Sequence, residues 1–194
     1  MSILSPFEFF EKCFSQAKSA NYAQYDAMVL ITSSPEAKPS GRMVLLKGVV
    51  GGCFRFFTNY ESRKAGELFL NPKAQLLFYW PEMGRQIRVE GEVRQISDKE
   101  SDEYWFQRPR GSRIGAIASK QSRPLSSMDE LRQKVKEIET QLINKEVERP
   151  KNWGGFELVP HYFEFWEDKP DRLHERFTYT LDSSGGWKMG RLNP

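Results

Sequence analysis

QIRVEGEVRQI, residues 86–96, decides the fold class. Ile87, Val89 and Val93 share one side of a two-residue period, while Gln86, Arg88, Glu90, Glu92 and Arg94 take the other. In a strand the first set meets a core and the second meets water. Residues 74–80 read as a neighbouring strand, delivered to this one by a turn at 81–84. Further back, Gly51-Gly52 joins RMVLLKGVV to CFRFFTN as a tight hairpin, because paired glycines supply the positive φ angles such turns need. Strands are also expected at 27–32, 156–167, 172–179 and 187–192.

Helices punctuate this pattern. Ser5-Pro6-Phe7-Glu8 is a capping box with proline at the first helical position, and Phe7, Phe10, Phe14 and Ala17 follow at helical spacing. A second helix is expected over 62–70, ending at Asn71-Pro72. Ser97-Asp98-Lys99-Glu100 opens a third, through 107, and Ser127 to Glu130 a fourth, whose apolar stripe is Leu131, Val135, Ile138 and Leu142. Strands that follow one another through hairpins, with helices at the start, middle and flanks, indicate one antiparallel α+β domain over 1–194. Closing about six or seven strands into a barrel would remove exposed edges. No glycine-rich strand-to-helix loop supports a doubly wound nucleotide fold.

The 29 Lys and Arg against 26 Asp and Glu give a net charge of +3, which neither demands nor excludes nucleic acid. Cys13 and Cys53 fit no metal or redox spacing and read as buried thiols in a reducing compartment. No apolar run approaches the roughly 18 residues of a membrane span, and no signal-peptide layout opens the chain, so a cytosolic protein is expected.

The position of the cations carries more information. Arg63 and Lys64 fall in a predicted first helical turn, where two positive charges are mildly unfavourable unless an anion joins them; they mark either a phosphate site or, equally, two side chains that extend into water. Arg42 and Lys47 bracket RMVLLK with an odd separation, which places them on opposite faces of an ideal strand. Tyr104 and Arg108 share a helix face, with Ser112 beyond the break at Pro109, a plausible phosphate cradle or equally an aromatic anchor beside a surface arginine. Gln121 and Ser122 sit in a loop. In DRLHERF, 171–177, Arg172, His174 and Arg176 would share one strand face, either as a solvated polar face or as a site. With no metal cluster and no nucleophile setting, chemistry here would belong to a cofactor.

RMVLLK at 42–47, FFTN followed by SRK through residue 64, RQ at 85–86, RPRGSRIGAIASKQS at 108–122, WGGF at 153–156, EFW at 164–166, RLHERF at 172–177 and the closing RLNP together resemble the pyridoxamine 5′-phosphate oxidase family, in order from about residue 25 onward. The resemblance implies a split β-barrel of Greek-key type that forms a homodimer with FMN at the subunit interface. It implies oxidation of pyridoxamine 5′-phosphate or pyridoxine 5′-phosphate to pyridoxal 5′-phosphate, with O2 reduced to H2O2. By the same resemblance Arg42, Met43, Val44, Leu45, Lys47, Phe57, Thr58, Arg63, Lys64, Gln86, Gln121, Ser122, Trp166 and Arg176 would hold FMN. Lys47, Tyr104, Arg108 and Ser112 would hold the substrate phosphate, and Arg172 and His174 would set the substrate ring against the flavin as the catalytic pair.

Phe57 stands where the family often has tyrosine, and Glu175 where it often has aspartate. Family members often carry a longer N-terminal segment whose arginine and tyrosine can fold over the substrate; this sequence begins almost directly at the first helix, which leaves a lid from that region an open question. Two rival readings are a split barrel that binds flavin or pyridoxal phosphate without turnover, and a basic module that grips nucleic acid. The co-occurrence of a cofactor set and a substrate set argues against the first. The second predicts a colourless protein with strongly salt-dependent nucleic-acid binding; the resemblance implies neither a nucleic-acid nor a membrane partner.

Overall fold

The computed structural model describes residues 5–194. Helix α1, Pro6–Ser19, opens on the expected capping box, with Ser5 accepting from Glu8 N and the Glu8 carboxylate accepting from Ser5 N at 2.7 Å. Its inner stripe of Phe10, Cys13 and Ala17 is buried in the main core against Phe54 and Phe78. No helix among the described residues is long and apolar enough to cross a membrane.

Among the described residues the sheet holds nine strands, more than the sequence suggests: β1 Ala27–Ser33, β2 Pro39–Leu45, β3 Val49–Val50, β4 Cys53–Asn59, β5 Lys73–Trp80, β6 Arg85–Gln95, β7 Trp153–Glu167, β8 Glu175–Leu181 and β9 Trp187–Arg191. All pairings are antiparallel, in the order β2-β1-β5-β6-β7-β4-β3, with β8 beside β7 and β9 beside β8. β7 is the axis of this arrangement. β6 runs along one edge of it, while β4 pairs with its first half and β8 with its second.

The period-two reading of 86–96 holds, since Ile87, Val89 and Val93 are buried. A bulge between Glu90 and Gly91 interrupts the ladder and bends the strand. Gly91 is required there because a Cβ would overlap the Val159 carbonyl oxygen and crowd Leu158. Gly91→Ala is therefore expected to lower stability by about 1–3 kcal/mol, read as a reduced urea midpoint with an unchanged slope. An unchanged midpoint would mean that the bulge relaxes freely.

RMVLLKGVV is not one strand. β2 stops at Leu45, Gly48 takes φ 135°, and the chain re-enters a ladder through Lys47 N to Arg55 O and Arg55 N to Gly48 O. The curled sheet thus meets itself near β4 without a continuous ladder between β2 and β4, which makes an antiparallel split barrel. The Gly51-Gly52 turn is as expected, with φ 57° and 78°.

Three helices cover the far end. α3 is Asp98–Gln107, α4 Arg110–Ala118 and α5 Met128–Gln141, and α2, Arg63–Leu70, lies against β1. They enclose a second core around Trp105, Ile114, Val147 and Trp153. Pro109, read as a break, is the N-cap of α4, a helix that the glycines of RGSRIGA disguise.

Candidate active site

A cavity of about 540 Å³ lies between β2, β4, α2, α3 and α4. Ser62 is the N-cap residue of α2, without a side-chain cap bond, and Lys64 follows in the first turn, 8 % exposed and lining the cavity. Its Nζ donates to Thr58 Oγ1 at 3.0 Å, Ser62 Oγ at 3.3 Å and Gln121 Oε1 at 2.9 Å. Neutral oxygens surround this ammonium, and burial followed by the charge of Arg42 pulls its pKa from 10.5 to about 8. Arg42 also lines the cavity and donates to Leu30 O, Thr32 Oγ1 and Ser40 Oγ. Arg63 lies outside the cavity wall, exposed, with Nε on Glu67 Oε1 at 2.8 Å.

Lys47, Tyr104, Arg108 and Ser112 line the same cavity. Lys47 pairs with Asp26 at 3.0 Å. Arg108 caps α3 at the kink before Pro109, and its guanidinium lies 4.6 Å from the Trp153 ring centre and 5.1 Å from that of Trp105. Aromatic faces steady it without neutralising it. Its Nη1 is buried with no hydrogen-bond partner, and burial lowers its pKa. Apolar groups complete the lining. Phe57 stacks on Tyr104 at 3.8 Å and on Trp153 at 5.6 Å, and Met43, Val44 and Leu45 of β2 line the same cavity.

Arg42 and Lys47 face one cavity, not opposite sides as ideal alternation requires, because the strand ends between them. Trp153, Asn59 and Ser119 also line the cavity although the sequence pattern assigns them no role; the WGGF stretch is the available signal for Trp153.

The remaining residues form a second cluster. Gln86, Trp166 and Arg176 are register partners across β6, β7 and β8, and His174 packs on Trp166 with ring centres 4.6 Å apart. His174 Nδ1 accepts from Lys169 N at 3.3 Å and lies 3.0 Å from Asp168 Oδ1. Arg176 is fixed by Glu164 at 2.8 Å and by the Asn193 carbonyl at 3.0 Å. The single-face reading of Arg172, His174 and Arg176 is corrected by the structure. Pro170 starts a one-turn 3-10 helix, Asp171 and Arg172 take φ 58° and 60°, and β8 begins only at Glu175, so exposed Arg172 lies off the strand. Neither this cluster nor exposed Ser122 shares a lining residue with the main cavity.

A family model described as pyridoxamine 5′-phosphate oxidase matches residues 14–142, and one described as the pyridoxine 5′-phosphate oxidase C-terminal dimerisation region matches 153–194. The chain belongs to the pyridoxamine 5′-phosphate oxidase family. This is a family of FMN-dependent oxidoreductases. The pyridoxine/pyridoxamine 5′-phosphate oxidase of Bordetella petrii is 47% identical over 190 residues, covering 98% of this chain and 90% of that protein. That of Bacteroides thetaiotaomicron is also 47% identical, over 97% of this chain and 89% of the relative. Among solved structures, PhzG from Burkholderia lata, in complex with tetrahydrophenazine-1-carboxylic acid, superposes with a TM-score of 0.91 at 28% identity over 100% of this chain and 99% of its own. An FMN-binding protein from Nostoc punctiforme has the same fold, at TM-score 0.78 and 18% identity, covering 100% of both chains.

For pyridoxamine 5′-phosphate oxidases the dimerisation region is the part that here carries Trp166, Arg172, His174 and Arg176. The main cavity suits anionic ligands: Lys64 is buried without an ion-pair partner among the described residues, and Arg108 Nη1 is unsatisfied.

Proposed function

We propose that this protein oxidises pyridoxamine 5′-phosphate or pyridoxine 5′-phosphate to pyridoxal 5′-phosphate as an FMN-dependent homodimer, with O2 the final acceptor and H2O2 a product of both reactions; the amine substrate also consumes one water and releases ammonia, while the alcohol releases nothing further. The observation that carries the reading is one cavity lined by Arg42 and Lys64 together with Lys47 and Arg108, and by aromatic and aliphatic side chains. Two phosphate esters lying side by side need two such pairs of cations, and a simple flavin binder needs one.

Lys64, Arg42 and Arg63, with the Thr58 hydroxyl, Gln121 and Ser122, would hold the FMN phosphate at the α2 N-terminus, where charge and bare N–H groups favour a dianion. Met43, Val44 and Leu45 would face the flavin ring. Bound FMN supplies the two-electron acceptor that no side chain provides. Lys47, Tyr104, Arg108 and Ser112 would grip the substrate phosphate, and Arg108 gains there the partner that its Nη1 lacks. The stacked Phe57 and Tyr104 would shield one side of the bound rings from water.

Gln86, Trp166, Arg172, His174 and Arg176 would complete the site from the second subunit. Arg172 and His174 then orient the pyridine ring so that its C4′ carbon meets the flavin, and orientation of this kind lowers the barrier without an acid or base. The substrate follows the 47%-identical relatives, named for phosphate esters, in preference to the 28%-identical relative that binds a phenazine acid.

Purified protein supplied with FMN in air should turn pyridoxamine 5′-phosphate into pyridoxal 5′-phosphate with one H2O2 per turnover. A yellow protein that releases no substrate-dependent H2O2 would reduce it to a flavin binder. A colourless one that binds RNA with steep salt dependence would overturn the reading altogether.

A further inference from the structure

Glu67 has no part in the roles given above, yet it is 7 % exposed and bonded to Arg42 of the cavity lining. It lies one turn beyond Lys64 on α2, with its carboxylate turned inward. Oε1 accepts from Arg63 Nε at 2.8 Å. Oε2 accepts from Thr32 Oγ1 at 2.5 Å, Ser40 Oγ at 2.6 Å and Arg42 Nη2 at 3.3 Å. Thr32 and Ser40 are themselves acceptors for Arg42, each at 2.5 Å. Each hydroxyl thus receives a proton from the arginine and passes its own to the carboxylate, so the cluster is satisfied from end to end.

We propose that Glu67 is the positioning residue of the cofactor-phosphate site, fixing Arg42 on β2 and Arg63 on α2 in one geometry and trimming the charge of the pocket to that of a phosphate dianion. The inference rests on the reading of Arg42, Arg63 and Lys64 as the FMN phosphate site. Arg42, Arg63 and Lys64 bring three positive charges and Glu67 leaves a net two, so its removal raises the Coulomb attraction for a dianion, and the weakening expected on removal reads the loss of positioning against that gain. Without Glu67, Arg63 is a solvated side chain with its rotamer freedom still to lose on gripping a ligand, and Arg42 keeps only neutral acceptors. Burial works against the charged form of Glu67, but hydrogen bonds from Ser40, Thr32 and Arg63 and the charge of Arg42 outweigh it and hold the pKa at about 2, so the carboxylate is ionised at any working pH.

A phosphate-positioning role separates from a purely structural one by comparing FMN with riboflavin, which has the same ring system and no phosphate. Each flavin is titrated with the full-length apoprotein and followed by loss of flavin fluorescence, in the native protein, Glu67→Gln and Glu67→Ala. Glu67→Ala is expected to weaken FMN about tenfold and leave riboflavin unchanged, the worth of one charge-assisted hydrogen bond to the phosphate. Glu67→Gln, which keeps an acceptor oxygen without the charge, should recover part of that affinity. Equal weakening of both flavins, or an unchanged ratio of their affinities in both variants, would overturn the proposal. If the native protein itself binds riboflavin as tightly as FMN, the phosphate placement fails and the role of Glu67 falls with it.

Discussion

Lys64→Met should weaken FMN by about a hundredfold, the loss of roughly two charge-assisted hydrogen bonds to a dianion. Methionine keeps the length and apolar stem of lysine, so the change removes the ammonium and little else. The magnitude follows from burial. An exposed cation is screened and replaceable, whereas Lys64 is buried, surrounded by Thr58, Ser62 and Gln121 oxygens, and aimed at the cavity. The pH dependence has a definite sign. A lysine depressed to about 8 is charged below that pH and neutral above it, so FMN affinity in the native protein should fall as pH rises through 8. Below about pH 6 the phosphate takes up its own second proton and affinity falls again. Lys64→Met should lack the alkaline limb and keep the acidic one. Equilibrium titrations of apoprotein with FMN from pH 5 to 10 test both statements, and an unchanged dissociation constant at pH 7 would remove Lys64 from the site.

The variant should fold at least as well as the native chain. Holding a charged lysine buried and beside Arg42 opposes folding at neutral pH, because the unfolded state keeps its protons between pH 8 and 10.5 while the folded state gives one up, so the native apoprotein gains stability across that window. Poor FMN binding together with an unreduced thermal midpoint therefore identifies a functional loss. A fall in both would point to misfolding.

The sheet was legible where one physical rule acted alone. Residues 86–96 alternate cleanly because one face is buried and the other wet, and the glycine pair at 51–52 could be read from its backbone freedom. The capping box at Ser97 to Glu100 was equally plain, since both reciprocal bonds use residues three apart. Legibility failed where tertiary structure overrode the local pattern. RMVLLKGVV looks like one apolar strand, but the curl of the sheet breaks it at Leu46 to Gly48 and turns Lys47 toward the cavity that Arg42 lines. In DRLHERF the alternation is genuine in the letters, yet Pro170 and two residues of positive φ keep Arg172 out of the strand. Glu67 was invisible for another reason. Its partners Thr32, Ser40 and Arg42 come from strands 25 to 35 residues away, and only the Arg63 spacing of four is local. The resemblance named most of the cavity, but it could not reveal that the named residues divide into two groups within one chain.

That division yields the second large effect. Thr58 pairs with Gly154, and Arg176 with Trp166, twelve residues further along β7, a strand path of roughly 40 Å. One subunit cannot readily bring both groups to one ligand, whereas a two-fold partner offers the same two groups in exchanged positions. Arg108→Ala and Arg172→Ala should each lower turnover by about two orders of magnitude as pure homodimers, the first by loosening the grip on the substrate phosphate and the second by misaiming the substrate ring. Arg172→Ala should retain its yellow colour, because that residue lies apart from the FMN-phosphate cluster. When the two variants are unfolded together and refolded at equal concentration, random pairing makes half of the dimers mixed. Each mixed dimer has one site carrying both substitutions and one carrying neither, so about a quarter of native activity should return under two-fold symmetry. Sites built within single subunits give no such recovery, since every site in the mixture then carries one of the two substitutions. Activity that stays at the homodimer level, with subunit exchange verified by differently tagged chains, would place Arg172 and Arg108 in the same subunit's site.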